Sequence, residues 1–533
     1  MLRQAPGFAA VTILTLAIGI GATTAFFSVI NAVLLKPLPY ARSEQLVDLS
    51  ESNPERGVNG AGCSFLDLEE FQRSGVFADI AGIARHKLTL TGSGDPTEVA
   101  TVTVTPEIFR ILDTNPFAGR YLLEEDGKKG AGAVVVVSEG LWRTRYGASP
   151  DFVGSSILLD QRPFTVVGIM PASFQIPVFG GHQEIWIPMA QDPVFSVFML
   201  NREIRGFFAV ARLKTGESVA RAQAEAQSVS EALAKEFPED AGFSVGLTPL
   251  QTAIFGDIKA PLLVLLGAVG LVLLLACVNI ANLMLARAAS RTRELALRQA
   301  LGAGRGRIIR QLLTESALVG LIGSAVGLAI AVVSARALAM LLPKDLPAMG
   351  VVQVDLRVLA FALLLSLAAV VAFGLIPAIL ATDSNMQSYL KDSSARTGTG
   401  GRSRTGRALA TAEIGLATVI VVAAGLLVRS LLTMTAVNPG FNPEHVLKAQ
   451  VSLPRYQYST PQQWTAFSNS FLERIQAEPG MQDSAIGIPS PLADPFAALP
   501  FSIADHAPLP PGTPSTAHYV AVSPEYFQLM GIP

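Results

Sequence analysis

Cysteine and charge are the scarce elements of this sequence, and each scarcity removes a class of protein. Two cysteines, Cys63 and Cys277, occur in 533 residues, too few for a disulfide-stapled scaffold or a four-cysteine zinc module. Charged residues make up 15% of the chain against 50% apolar ones, and the mean hydropathy is +0.43. An ordinary soluble domain carries about 25% charge, so a membrane protein is the first reading. Of the five histidines, His86 and His182 lie far apart and belong to no HExxH or CxxC pattern, which gives no metal site. No G-x-S-x-G elbow and no G-x-x-x-x-G-K-[ST] loop is present, so neither acyl transfer nor nucleotide binding by this chain is indicated. The net charge of -2 supplies no basic field that would attract nucleic acid.

Long uncharged runs are abundant instead. Phe8 to Leu35, Pro261 to Ala286 and Val358 to Ala381 carry no charge, Ala317 to Leu342 holds only Arg336, and Ala408 to Val428 holds only Glu413, near one end. About 20 apolar residues cross a bilayer as a helix, the form that satisfies its own backbone without water. Five transmembrane helices are therefore expected, the fifth taken to residue 430. The first ends at Lys36 to Tyr40, "KPLPY", where two prolines stop the helix and Tyr40 suits an interface. Its length favours a retained anchor over a cleaved signal peptide.

Positive charge then sets the orientation. Arg287, Arg291, Arg293, Arg298, Arg305, Arg307 and Arg310 are opposed in that stretch by Glu294 alone, which places the loop 287–316 in the cytoplasm. The linker 382–407, with Lys391, Arg396, Arg402, Arg404 and Arg407, goes with it. The loop 343–357 balances one Lys and one Arg against two Asp and suits the outside. Residues 1–7 are then cytoplasmic, and the polar regions 36–260 and 431–533 are both extracytoplasmic. The two cysteines fall in an outer domain and a span, so no disulfide is expected between them.

The outer region reads as an α+β domain. "HKLTLTGSG" and "EVATVTV" alternate as a hairpin, "AVVVVS" is a short buried strand, and "ILLDQRPFTVVGIMP" is a second hairpin. From Ser218 to Phe237 an Ala- and Glu-rich amphipathic helix is expected, with Ser218 as its cap. Glu124, Glu125 and Asp126 before Gly127 read as a solvated turn. Self-comparison finds a repeat: "VTVTPEIFRIL" at 102–112 returns as "VAVSPEYFQLM" at 520–530, each copy lying in the outer region that follows a span. The chain reads as a duplication whose second outer domain is incomplete at Pro533, hence as a fragment.

Within the basic loop, Glu294 and Arg298 stand four apart, as do Leu297 and Leu301, so a short amphipathic helix is expected. Gly302, Gly304 and Gly306 break it, and a second helix begins near Ile308. The pattern fits a lever at the membrane surface. It fits equally a helix resting on anionic lipid through its arginines, or a plain topology signal. Asn279 and Asn282, deep in the second run, read as helix-to-helix hydrogen-bonding groups.

The stretch "RELALRQALGAGRGRIIRQLLTESALVGLIGSAVG", with "CVNIANLMLARA" before it, resembles the cytoplasmic loop and spans of MacB-like and FtsX-like ABC-transporter permeases. "LTLAIGIGATTAFFSVINAVLLKPLPY", "VTPEIFRILDTNPFAGR" and "LWRTRYGASPDFVGSSILLDQRPFTVVGIMP" resemble the first span and MacB-type periplasmic core of a duplicated-permease branch. The resemblance implies a bacterial inner-membrane, non-catalytic permease subunit that relays ATP-driven motion to its outer domains, in efflux or export of drugs, peptides or lipoproteins. It implies a separate cytoplasmic ABC ATPase that binds the ATP, with no cofactor in this chain, and leaves room for a periplasmic adaptor or outer-membrane channel. It also implies a pseudo-dimer of two repeats. The coupling helix falls by this match on Arg291 to Gly302: Leu297 and Leu301 would pack into the ATPase, while Arg291, Arg293 and Arg298, with Glu294 among them, would meet its surface. Gly302, Gly304 and Gly306 would hinge. Two rivals remain: an ion-coupled transporter, disfavoured by spans nearly free of acidic residues and histidine, and an FtsX-type signalling or scaffold protein that activates an outer enzyme.

Overall fold

The first apolar run is helical from Pro6, and no further proline interrupts it before those at 37 and 39. This helix, α1 (Pro6–Ile30), ends in a π-helical turn at Asn31–Leu35, where the Lys36 amide donates to the Asn31 carbonyl at 2.8 Å. The computed structural model describes residues 6–92, 94–176, 183–290, 305–341, 355–371, 404–453, 457–481, 483–488, 498–501, 503–504 and 516–532. Two compact units emerge, one built from the apolar helices and the other from the polar regions.

The polar unit begins with β1 (Leu46–Asn53), β2 (Val58–Ala61) and α2 (Phe65–Ser74), followed by the long β3 (Phe77–Thr91), β4 (Thr97–Val104) and α3 (Glu107–Leu112). Next come β5 (Ala118–Gly119), β6 (Val134–Ser138), α4 (Glu139–Tyr146), β7 (Ser156–Leu159), β8 (Arg162–Met170) and β9 (Ile185–Pro188). The short α5 (Phe195–Phe198), β10 (Phe208–Leu213), α6 (Val219–Glu236) and β11 (Ser244–Pro249) complete it. These strands form one sheet in the order β11-β1-β10-β3-β4-β9-β6-β8-β5, with β2 on β1 and β7 bridging β3 and β8. β4 runs parallel to β9 and β6 parallel to β8; the other pairings are antiparallel.

Both hairpins read from the sequence form. β3 pairs with β4 from Ile83↔Val104 to Leu90↔Thr97. β7 turns into β8 through Asp160 and Gln161, whose φ values of 48° and 60° are those a two-residue turn between twisted strands requires. The Asp160 carboxylate also accepts from the Thr89 amide at 2.9 Å, which ties the turn to β3. Ser218 caps α6 by accepting from the Arg221 amide at 3.3 Å.

β3 serves two cores. Its first half joins Val47, Leu49, Phe71, Phe207, Ala222 and Ala226 beneath α2 and α6; its second half joins Val135, Val137, Leu141, Phe164 and Val166 against α4. One fifteen-residue strand thus makes two lobes share a sheet.

The apolar unit contains α1, α7 (Leu250–Ser290), α8 (Arg305–Leu341), α9 (Leu356–Val370) and α10 (Arg404–Thr435). Among the described residues four stretches are long and apolar enough to cross a membrane: Ala9–Leu35, Leu250–Met284, Ser316–Ala335 and Ala410–Thr435. α9 is a shorter apolar helix, and residues 372–381 of the fourth expected span lie outside the described set.

After α10 come α11 (Pro461–Gln476), β12 (Gly487–Ile488), β13 (Ala498–Pro500), β14 (Thr516–His518), β15 (Ala521–Val522) and α12 (Tyr526–Leu529). β12 pairs with β15 through Gly487↔Val522, and β3 pairs with β4 through Ile83↔Val104. The residue that follows each pair repeats the same two contacts. Thr105 donates its amide to the Gly82 carbonyl at 3.0 Å and accepts the Gly82 amide on its hydroxyl at 3.2 Å. Ser523 does the same with Ile486, at 2.9 and 3.1 Å.

Candidate functional site

The residues expected to meet an ATPase, Arg291, Arg293, Glu294, Leu297, Arg298 and Leu301, lie outside the described residues, as do Gly302 and Gly304. Gly306 is described and sits in the first turn of α8, where a Cβ would meet nothing within 4 Å among the described residues. The geometry available is that of the helices flanking this loop.

α1 and α8 cross on glycine. A Cβ placed on Gly21 would lie 2.9 Å from the Gly327 carbonyl oxygen, one on Gly327 would lie 3.0 Å from the Ala17 carbonyl oxygen, and one on Gly323 would lie 3.0 Å from Leu16 Cβ. Gly323 and Gly327 form a G-x-x-x-G stripe, which lets two backbones approach where lipid offers no hydrophobic drive between helices. The buried hydroxyls of Thr23 and Ser28 are returned to their own helix, donating to the Gly19 and Thr24 carbonyls at 2.8 Å each. On a neighbouring face Leu16 and Ile20 pack with Leu273, Cys277, Ile280 and Ala281 of α7.

Polar contacts mark both ends of the bundle. At the π-turn, Asn31 is buried and donates through Nδ2 to Asp355 Oδ2 at 2.8 Å. Asp355 in turn caps α9 by accepting the Val358 amide at 3.0 Å, and Arg357 donates to the Leu35 carbonyl at 3.2 Å. Phe27 stacks on Phe361 at 3.8 Å between centroids. Toward the other end, Asn282 Nδ2 on α7 donates to Glu413 Oε2 on α10 at 2.8 Å. Asn282 therefore makes the kind of helix-to-helix bond its sequence context suggests. Glu413, the one charge of the run 408–428, is thereby partnered.

In the polar unit, a buried ionic cluster escaped the sequence reading. Arg205 Nε lies 2.7 Å from Glu51 Oε2 and its Nη2 lies 2.7 Å from Asp240 Oδ1. Arg202 Nη1 bonds Asp67 and reaches Asp240 Oδ2 at 3.1 Å. Each guanidinium also lies over a ring, Arg205 at 3.5 Å from Phe243 and Arg202 at 3.8 Å from Phe237. All five charged side chains are 10% exposed or less, so three carboxylates share two cations out of water. Burial, with Asp67 close by, pushes Glu51 up to about 8; burial, with Asp240 close by, pushes Asp67 up to about 6. The two arginines stand three apart in "NREIRG", the single local signal; their partners come from β1, α2 and the turn at 238–240.

His86 acquires a partner that sequence spacing hides. Its Nε2 lies 2.6 Å from Asp192 Oδ2, and the Thr103 hydroxyl donates to that same oxygen at 2.5 Å. Burial would raise the Asp192 carboxylate, but the His86 and Thr103 contacts and the Phe195 amide hold it below its ordinary value. A hydrolytic triad needs the hydroxyl on the imidazole and the carboxylate on the other ring nitrogen. Here the hydroxyl is bound to the acid, and Asp192 Oδ1 accepts the Val194 and Phe195 amides at 2.7 and 2.9 Å just before and at the start of α5. The arrangement is a structural tie. Among the described residues no group of three or more His, Cys, Asp or Glu side chains could hold a metal ion. The acidic run 124–126 forms a turn with Glu124 and Glu125 exposed, as expected, but Asp126 is buried against Arg120 at 2.5 Å, and the exposed Glu124 meets Arg110 at 2.6 Å.

Residues 9–229 match the profile of the MacB-like periplasmic core domain, and residues 266–386 match that of the FtsX-like permease C-terminal. The chain joins a MacB-like periplasmic core domain to an FtsX-like permease domain. The macrolide export ATP-binding/permease protein MacB of Hahella chejuensis is 26% identical over 222 residues, 42% of this chain and 33% of that protein. MacB 1 of Yersinia pestis bv. Antiqua is 28% identical over 244 residues, 45% and 36%. The chain thus spans about a third of the length of the curated relatives it matches. Among solved structures, the periplasmic region of MacB from Actinobacillus actinomycetemcomitans aligns at 14% identity with a TM-score of 0.31, covering 43% of this chain and 95% of its own. The chain is a multi-pass protein of the inner membrane. Its FtsX-like match takes in Asn282 and Asp355, whereas Glu413 lies beyond the match.

Proposed function

We propose that this chain is the permease subunit of an ABC transporter, which relays the motion of a separate cytoplasmic ATPase to extracytoplasmic domains. The observation that carries this reading is the order of the two matches: a periplasmic core set between a first apolar helix and an FtsX-like set of helices. In this reading the ATP is bound by the partner ATPase. The named activity of its relatives, macrolide export, makes an amphiphilic drug the first substrate to try; peptides and lipoproteins belong to the same reading.

In this reading five spans cross the membrane, and the basic loop 287–316 lies in the cytoplasm. Its coupling helix offers Leu297 and Leu301 to the ATPase as apolar anchors, with Arg291, Arg293 and Arg298 against an acidic surface and Glu294 bonded to Arg298 along the helix. Gly302, Gly304 and Gly306 form the hinge. The chain is a duplication whose second copy begins at α10. The matched contacts of Thr105 with Gly82 and of Ser523 with Ile486 support this, because they repeat at the same register in the two copies of the sequence motif. A periplasmic adaptor or outer-membrane channel would meet the core domains on the far side.

The test is the double replacement Leu297→Ala with Arg298→Ala in the full-length protein, reconstituted with the ATPase that co-purifies from native membranes. ATPase stimulation is expected to be lost while membrane insertion stays unchanged; undiminished stimulation would refute the coupling assignment. Activation of an outer enzyme without export of any compound would replace export by the FtsX-type role.

A further inference from the structure

Glu413 is the charged group set deepest in the α10 apolar run, and Asn282 is among the most polar groups of α7. An unpartnered carboxylate inside a span is costly, and such residues find partners facing the protein interior. These two have found each other across 131 positions of sequence, at 2.8 Å.

Their depth agrees independently. Asn282 stands four residues before Ala286, the inner end of the second apolar run, and Glu413 five residues after Ala408, the inner end of the fifth. At a rise of 1.5 Å per residue both side chains lie about 6 to 8 Å inside the same leaflet. α7 enters that leaflet as α10 leaves it, so the two helices meet antiparallel at matching height. The half-buried positions of α10 are Glu413, Leu416, Ala417 and Ile420, one helical face, and the bond from Asn282 is the polar contact on that face, which sets its height.

We propose that the Asn282–Glu413 hydrogen bond is the latch joining the second repeat to the first within the membrane. It acts five residues before Arg287, where the basic loop begins. Displacement of the inner end of α7 is thereby passed to the first helix of the second copy. This rests on the duplicated-permease reading given above, and it assigns that reading a contact surface: α7 of one copy against α10 of the other.

The test uses the full-length protein in native membranes, with Cys63→Ala and Cys277→Ala as background. Reporter cysteines replace Val278 and Ala417, one turn from the latch on each helix on the side away from the loop. A crosslink between them is expected in the parent. Glu413→Gln keeps an oxygen that accepts from Asn282 and should preserve it; Glu413→Leu and Asn282→Leu should each lower its yield on the order of three- to tenfold, the range set by hydrogen bonds between membrane helices. Absence of the crosslink in the parent, or equal yields in the Gln and Leu variants, would overturn the latch. Where Glu413→Leu fails to accumulate, Asn282→Leu decides. The crosslink needs no ATPase, so a persistent crosslink with no ATPase stimulation faults the transporter reading and leaves the latch standing, and the reverse pattern faults the latch alone.

Discussion

The α1/α8 seam in one unit and the Arg202–Arg205 cluster in the other are close associations made by opposite means. The seam removes side chains until backbones touch: glycines at 21, 323 and 327 leave less than one methyl group of clearance. The cluster imports five ionisable side chains and two rings into a β-domain core. In lipid, burial of apolar area between helices yields little, so close van der Waals approach must serve. In the polar unit apolar burial already holds the sheet, and the cluster fixes which loop lies where, since each ion is tolerated only with its partners in place.

Removal of one partner should therefore expose the largest difference. Arg205→Met leaves Glu51, Asp67 and Asp240 with one cation and is expected to cost about 3–5 kcal/mol. Limited proteolysis of the full-length protein should show the outer domain cut far more readily while the spans remain protected. Next in size, Gly21→Val drives a side chain into the Gly327 carbonyl and should cost about 1–3 kcal/mol. The control is Gly415→Val in α10, where nothing lies within 4 Å among the described residues; the thermal midpoint in detergent should fall for the first and hold for the second. Equal midpoints would remove the seam from the comparison.

A smaller effect separates the cluster from the seam by pH. Glu51 is raised to about 8, Asp67 to about 6 and Asp48, by burial, to about 7. Folded carboxylates that hold their protons longer than unfolded ones make stability fall as pH rises between the two values. The outer domain should thus lose stability progressively from about pH 4 to 5 up to about pH 8, and Glu51→Gln should flatten that slope in denaturation curves taken at pH 5 and pH 8. Asp192 and Asp126, held low, act with the opposite sign and only below this window. The smallest expected change is Asp355→Ala, which removes the α9 cap and the Asn31 contact for about 1 kcal/mol, read as faster amide exchange at the start of α9.

Legibility divides along the same line. Period-2 and period-3.6 patterns are local, so the β3/β4 and β7/β8 hairpins, the Ser218 cap and the apolar helices could be read from neighbouring residues. The partner of a polar side chain is not local. Arg205 is paired by residues 154 positions before it and 35 after it, His86 by Asp192, and Asn282 by Glu413; nothing in the spacing of any one of them names the other. Glycine gives an intermediate case. The G-x-x-x-G at 323 and 327 announces a close crossing, but α1 is identified as its mate only by three-dimensional contact. The acidic run at 124–126 is the exposed turn its composition indicates at Glu124 and Glu125, whereas the burial of Asp126 depends on Arg120, outside the turn.

The measurement that bears most directly on force entering at the basic loop is the accessibility of that loop. An Arg298→Cys variant of the full-length protein, in the Cys63→Ala, Cys277→Ala background, is treated in intact cells with a membrane-impermeant maleimide. A permease driven from the cytoplasm requires no labelling until the inner membrane is permeabilised, and slower labelling then whenever the ATPase is bound. Labelling in intact cells would put the loop on the wrong side of the membrane and contradict the mechanism outright.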